Sequence, residues 1–147
     1  MSVLISGPPA AIRGSKVDVA KLRQRAGKVL AAIGEAGSEL SVALVDDSGI
    51  RELNARWRGR NEATDVLSFS QIEGDFADHR GTLLGDVVIS VETAAKQAAS
   101  RHRALDDEVT RLLIHGVLHL VGHDHESDSE ARRMKAEERR LWRALPG

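Results

Sequence analysis

The chain has 147 residues, the size of one ordinary domain. At that length about 68–70% of the unfolded surface can be buried, enough for a core without disulfide staples. Hydrophobic residues are 41% and charged residues 29%, the balance of a globular protein. Lys and Arg total 21 against 22 Asp and Glu, a net charge of −1. That excludes a wrapper holding nucleic acid by bulk positive charge and leaves room only for a local basic cleft. Cysteine is absent, so disulfides, thiolate catalysis, iron–sulfur clusters and cysteine-built zinc fingers are excluded.

The first residues lack a charged segment followed by an apolar one, so no signal peptide is expected. No apolar run approaches the ~20 residues that cross a bilayer. A cytoplasmic chain without membrane contact is the expectation, organised as a single domain over residues 1–147.

Val3–Ser6 reads as a short strand closed by Gly7-Pro8-Pro9. Between Val17 and Ile33, Leu22, Ala26, Val29, Leu30 and Ile33 recur at helical spacing, and Gly34 and Gly37 end that helix. Leu40–Val45 is apolar at nearly every position, as in a strand of a sheet covered on more than one side. Asp46-Asp47-Ser48-Gly49 reads as a turn, followed by a short helix marked by Ile50, Leu53, Asn54 and Trp57. Asp65–Ser70 and Thr82–Ser90 are two further strands, with a polar loop over Gly74–Gly81 between them. Gly85 inside a strand pattern signals a bulge or a close backbone approach.

Helices then dominate. Val91–Arg101 is rich in alanine. Leu105–Val121 opens with Asp106, Asp107 and Glu108, placed where the helix dipole favours negative charge, and ends at Gly122. Its apolar run predicts burial. Ser127 with Glu130 forms a capping-box pattern for a last helix to about Leu145. Strands early and helices late give an α+β class: a small mixed β-sheet of about four strands packed with about five helices.

Four of the six histidines, His115, His119, His123 and His125, fall within eleven residues. Two histidines four apart share one face of a helix, a preformed half-site for a divalent metal. Gly122 lets the chain fold back so that His125 supplies a third ligand; His123 is the alternative third ligand or a mere neighbour. Three imidazoles without cysteine describe an open site on a late buried helix, its fourth position held by water or substrate. A bound metal lowers the pKa of such a water from 15.7 to about 7. All-imidazole ligation suits Zn2+, with Ni2+ also accommodated. The zinc-protease pattern H-E-x-x-H places a general base directly after the first histidine, where this chain has Gly116, which disfavours a zinc protease. Asp124 and Glu126 are candidates for carboxylates that orient a ligand imidazole, or are solvated acids ahead of the last helix.

The run HGVLHLVGHDH at 115–125 resembles the signature of the YbeY family of bacterial endoribonucleases. Two further blocks in the same order support the resemblance: Leu53–Arg60 followed by Thr64–Phe69, and Leu84–Ser90. Together they cover roughly residues 40–145. The resemblance places the family's metal ligands on His115, His119 and His125, and its functional arginine on Arg58. The motif has Tyr or His at position 123, which leaves His123 outside the ligand set. Asn61-Glu62-Ala63 and Ser70 depart from the family's pattern, in a loop and at a strand end.

What the resemblance implies is a metal-dependent endoribonuclease cutting single-stranded RNA in rRNA maturation and ribosome quality control, with a ribosomal subunit or assembly protein as partner. Arg58 offers a planar fork of donors suited to a phosphate. Two other readings remain: a zinc hydrolase of another class, such as an amidase or peptidase, and a non-enzymatic ribosome-assembly factor whose metal is structural.

Overall fold

The structure, a computed structural model, describes residues 2–9, 16–70, 83–124 and 126–145. Within them lie four strands and five helices: β1 (Ser2–Ser6), α1 (Val19–Ala32), β2 (Glu39–Val45), α2 (Asp47–Arg58), β3 (Val66–Ser70), β4 (Leu83–Ser90), α3 (Val91–Ser100), α4 (Leu105–Leu120) and α5 (Asp128–Arg143). The expected loop at 74–81 and residue Thr82 lie outside the described residues, as does His125.

The sheet runs in the order β1-β2-β4-β3. β1 and β4 are parallel to β2, and β3 is antiparallel to β4. The mixed α+β sheet is the one the sequence predicts. Gly85 sits where the β2–β4 register shifts, so the expected bulge is present; a Cβ there would come within 2.6 Å of the Phe69 carbonyl oxygen.

Both faces of the sheet carry apolar clusters, as the apolar density of β2 required, although Leu4 on the edge strand β1 stays exposed. Leu40, Val42 and Leu44 alternate onto the main core with Val87 and Ile89, against α1, α4 and α5. The opposite face carries a smaller cluster of Ile50, Leu67 and Val88, which α2 covers with help from Leu53. The even residues of β3 thus face α4, and Leu67 and Phe69 face α2.

The helix ends follow capping chemistry. Asp18, Asp46, Ser90 and Ser127 each accept a hydrogen bond from the backbone N–H three residues on. Asp46 as a cap makes the Asp47–Gly49 segment the first turn of α2 rather than the connecting turn expected from the sequence. Helix α4 ends at Gly122, φ +99°, with His123 N–H on the Leu118 carbonyl and Gly122 N–H on the His119 carbonyl. This left-handed closure satisfies the carbonyls of the last turn and turns the chain back toward the sheet.

Two polar networks hold the helices in place. Glu108 is fully buried, so its role exceeds the expected dipole effect. Arg111 contacts it at 2.7 Å, and Arg101 and Arg103 at 3.8 Å each. One carboxylate thereby ties the α3–α4 junction to the body of α4. At the other network Asp47, at the start of α2, accepts from the hydroxyls of Ser90 and Thr93 and from Lys96 at 3.3 Å. Burial raises the Asp47 carboxyl, but those donors together outweigh it and hold it below its ordinary value of 3.8.

Glu108→Ala is expected to cost about 3 kcal/mol, the low end for breaking a buried ion pair. The low end applies because the three arginines keep 25–49% of their side-chain surface open to water. Urea unfolding checks this, and Glu108→Gln should fall between wild type and Ala. A lowered carboxylate stabilises the fold above its unfolded pKa, and that contribution is lost as pH falls through the folded value. Asp47→Asn should therefore cost about 2 kcal/mol at pH 7, the worth of hydrogen bonds to a charged group. The gap to wild type should close below about pH 4 in paired denaturation curves.

Candidate active-site cleft

One strip of α4 meets the inner face of β3. Gly116 permits the approach: a Cβ on it would lie 2.7 Å from Cγ1 of the buried Val87 and 3.1 Å from the Ser68 hydroxyl. That hydroxyl instead donates to the Gly116 carbonyl at 2.9 Å. A glutamate after the first histidine, as in a zinc protease, therefore has no room in this fold.

His115 and His119 stand on either side of that contact, one turn apart on the helix. Their ring centroids are 4.8 Å apart and the planes cross at 69°. Both line an open cleft of about 710 Å³, together with His123, Asp124, Ser68 and Arg58. Two imidazoles on one tetrahedral zinc, at Zn–N distances of about 2.0–2.1 Å, have ring centroids roughly 5 Å apart. The separation of the His115 and His119 rings is of that size. The resemblance puts a third ligand on His125, which lies outside the described residues; among the described residues no three histidines or carboxylates are grouped to hold a metal ion.

Arg58 enters from the far side of the sheet. It closes the last turn of α2, and its Nη2 donates to the Ser68 carbonyl at 2.6 Å on the edge strand β3. The guanidinium also lies 5.2 Å from the centroid of the Phe69 ring. These contacts aim the head group over the edge of the sheet into the cleft that holds the histidines. The arginine and the histidine pair, 57 residues apart at their nearest members in the sequence, are neighbours in space.

Thr64 and Asp65 also line the cleft. Asp65 is anchored from both oxygens: Oδ1 accepts from Val66 N–H at 2.8 Å, and Oδ2 from the Gln97 amide at 3.2 Å. It fixes the entry of β3.

A residue missed by sequence reasoning meets His115. Glu138 on α5 places Oε1 2.9 Å from His115 Nδ1, with both side chains about three-quarters buried. This hydrogen bond holds the Glu138 carboxyl below its ordinary value of 4.5 despite the opposing effect of burial. The signal was present in the sequence: Glu138 is four residues past Met134 and three before Leu141, the two buried residues of α5. An acid on the apolar stripe of a helix has a buried partner.

Comparison with known proteins gives a consistent result. The family model described as Endoribonuclease YbeY matches residues 11–146. A protein of that description from Anaeromyxobacter sp. (strain Fw109-5) is 52% identical over 124 residues, which are 84% of this chain and 63% of the relative. A second, from Geobacter sulfurreducens, is 44% identical over 127 residues, 85% of each. The chain thus spans under two thirds of the Anaeromyxobacter relative and most of the Geobacter one. Among solved structures, the solution structure of TM1509 from Thermotoga maritima superposes with a TM-score of 0.60 at 26% identity, covering 95% of this chain and 89% of the other. By sequence, this chain belongs to the YbeY family.

Proposed function

We propose that this chain is a metal-dependent endoribonuclease that cuts single-stranded RNA in rRNA processing, working in the cytoplasm beside the ribosome. The observation that carries the reading is the shared cleft: Arg58 and the His115–His119 pair converge on one open space although they come from opposite faces of the sheet. The matched relatives carry the name Endoribonuclease YbeY, which supports the reaction class. Among the described residues no helix is long and apolar enough to cross a membrane.

In this reading His115, His119 and His125 hold one zinc ion. When bound, it supplies a Lewis acid and a water of lowered pKa beside the phosphate. The chain's own residues do the rest. The Ser68 carbonyl takes one of Arg58's five N–H donors and leaves others for phosphate oxygens. Always charged, the guanidinium stabilises the extra negative charge of the transition state more than that of the ground state. The segment 51–60 holds four arginines and one glutamate, a local charge of +3 in a chain whose total is −1. This is the local basic surface an anionic polymer needs. Gly116, closed to any side chain, argues against the peptidase alternative.

The test is cleavage of a fluorescent single-stranded RNA by purified wild type, Arg58→Ala and His119→Ala, with metal content determined on the same samples. Arg58→Ala should lose about 10²–10³-fold in kcat with metal retained, the usual cost of one donor to a developing oxyanion. His119→Ala should lose both metal and cleavage while keeping a cooperative melt. Equal cleavage in all three samples would reveal a contaminating ribonuclease and overturn the reading.

A further inference from the structure

We propose that Glu138 is a positioning residue of the cleft: by accepting the Nδ1–H of His115 it fixes that imidazole's tautomer and ring orientation, so that Nε2 is the nitrogen presented to a metal. The inference rests on the metal reading of the histidine pair above.

The geometry points this way for three reasons. First, a neutral imidazole has one N–H and one lone pair, so a carboxylate 2.9 Å from Nδ1 puts the proton there and the lone pair on Nε2. Second, an imidazole's terminal torsion is broad and nearly two-fold, and an unrestrained ring flips, putting a ring carbon where each nitrogen had been. Glu138 at one nitrogen and the edge contact with His119 both restrain the His115 ring. Third, the contact is not a solvated surface pair, because both side chains are about three-quarters buried.

Docking of α5 does not need this acid, since Met134 and Leu141 already anchor the helix in the core on either side of it. A carboxylate–histidine pair of this kind also raises the basicity of the ligand nitrogen. The sequence reading looked for such an acid at Asp124 and Glu126, beside the histidines in the chain. The structure supplies one from a helix turn 23 residues away.

Two measurements on the full chain test the assignment. The histidine tautomers are read by nitrogen-15 NMR in the metal-free protein, and zinc affinity by competition with a chromophoric chelator. Wild type should show His115 protonated at Nδ1. Glu138→Ala should shift His115 toward the Nε2–H form and weaken zinc binding about 10–100-fold. Glu138→Gln, which keeps an acceptor oxygen, should hold the tautomer and lose less affinity; it also serves if the alanine variant fails to fold. An unchanged tautomer in Glu138→Ala overturns the proposal, and so does unchanged zinc affinity. If wild type takes up no zinc, the metal reading itself fails and the proposal with it. If wild type binds zinc and the Glu138 variants match it, only the positioning role falls.

Discussion

The close contact of α4 with the sheet is the constraint from which the rest of the cleft follows. Gly116 brings the helix backbone to within hydrogen-bond distance of the Ser68 hydroxyl, and no residue with a side chain fits there. Around that point Leu112, Leu113, Ile114, Val117, Leu118 and Leu120 are almost wholly buried. A helix packed this densely has one register against the sheet, because any slide would drive side chains into one another. His115 and His119 flank the fixed point on the helix, so their positions relative to β3 are set by core packing rather than by a loop. Catalytic and binding groups carried on rigid elements are held more closely than those on loops.

That same strip carries every polar side chain of α4 beyond Thr110. Glu108, Arg111, His115 and His119 follow one another at spacings of three and four. Glu108 is satisfied by arginines, and His115 by Glu138 on α5. A buried polar group without a partner costs about 1–3 kcal/mol, so a strip of this kind persists only if neighbouring elements answer it. The partners come from the end of α3 and from the inner face of α5. Those two helices therefore organise the polar strip as well as covering the core.

Much of this was legible in the sequence, for physical reasons that differ between elements. Hydrophobic spacing and apolar runs marked α1, α2, α4 and the strands among the described residues, while alanine content marked α3 and the Ser127–Glu130 capping box marked α5. The capping residue Ser127 and the stop at Gly122 were readable because a cap is a local event, settled within one helical turn. The start of α2 was misplaced for the same kind of reason: Asp46-Asp47-Ser48-Gly49 carries the chemistry of a turn and of an N-cap at once. The histidine pair was visible because a spacing of four is a property of the helix itself. Glu138, the arginine shell of Glu108 and the seat of Arg58 on the Ser68 carbonyl join residues from different elements, and no local pattern encodes which elements will meet. The meaning of Gly116 was only half legible. The sequence showed that a base was absent there; the structure shows that the position admits none.

The position of Arg58 bears on how an RNA is engaged under the proposed function. Only two Trp and two Phe are present, and Tyr is absent, too few for the row of aromatic platforms on which single-strand binders stack successive bases. Of the four, Trp142 lies 5.8 Å from the Arg25 guanidinium, and the Phe69 ring packs beneath Arg58. Trp57 is the aromatic most open to solvent among the described residues, and the Arg56 guanidinium sits 5.7 Å from its ring. Arginine, not stacked aromatic surface, is what this face of α2 offers. Contacts led by phosphate carry little sequence information, because every nucleotide presents the same group. A nuclease built this way discriminates by whether a strand can reach the cleft, and single-stranded character becomes the selective property. Under the proposed function, a substrate phosphate meets Arg58, seated on the edge strand β3, at the cleft that the histidines line.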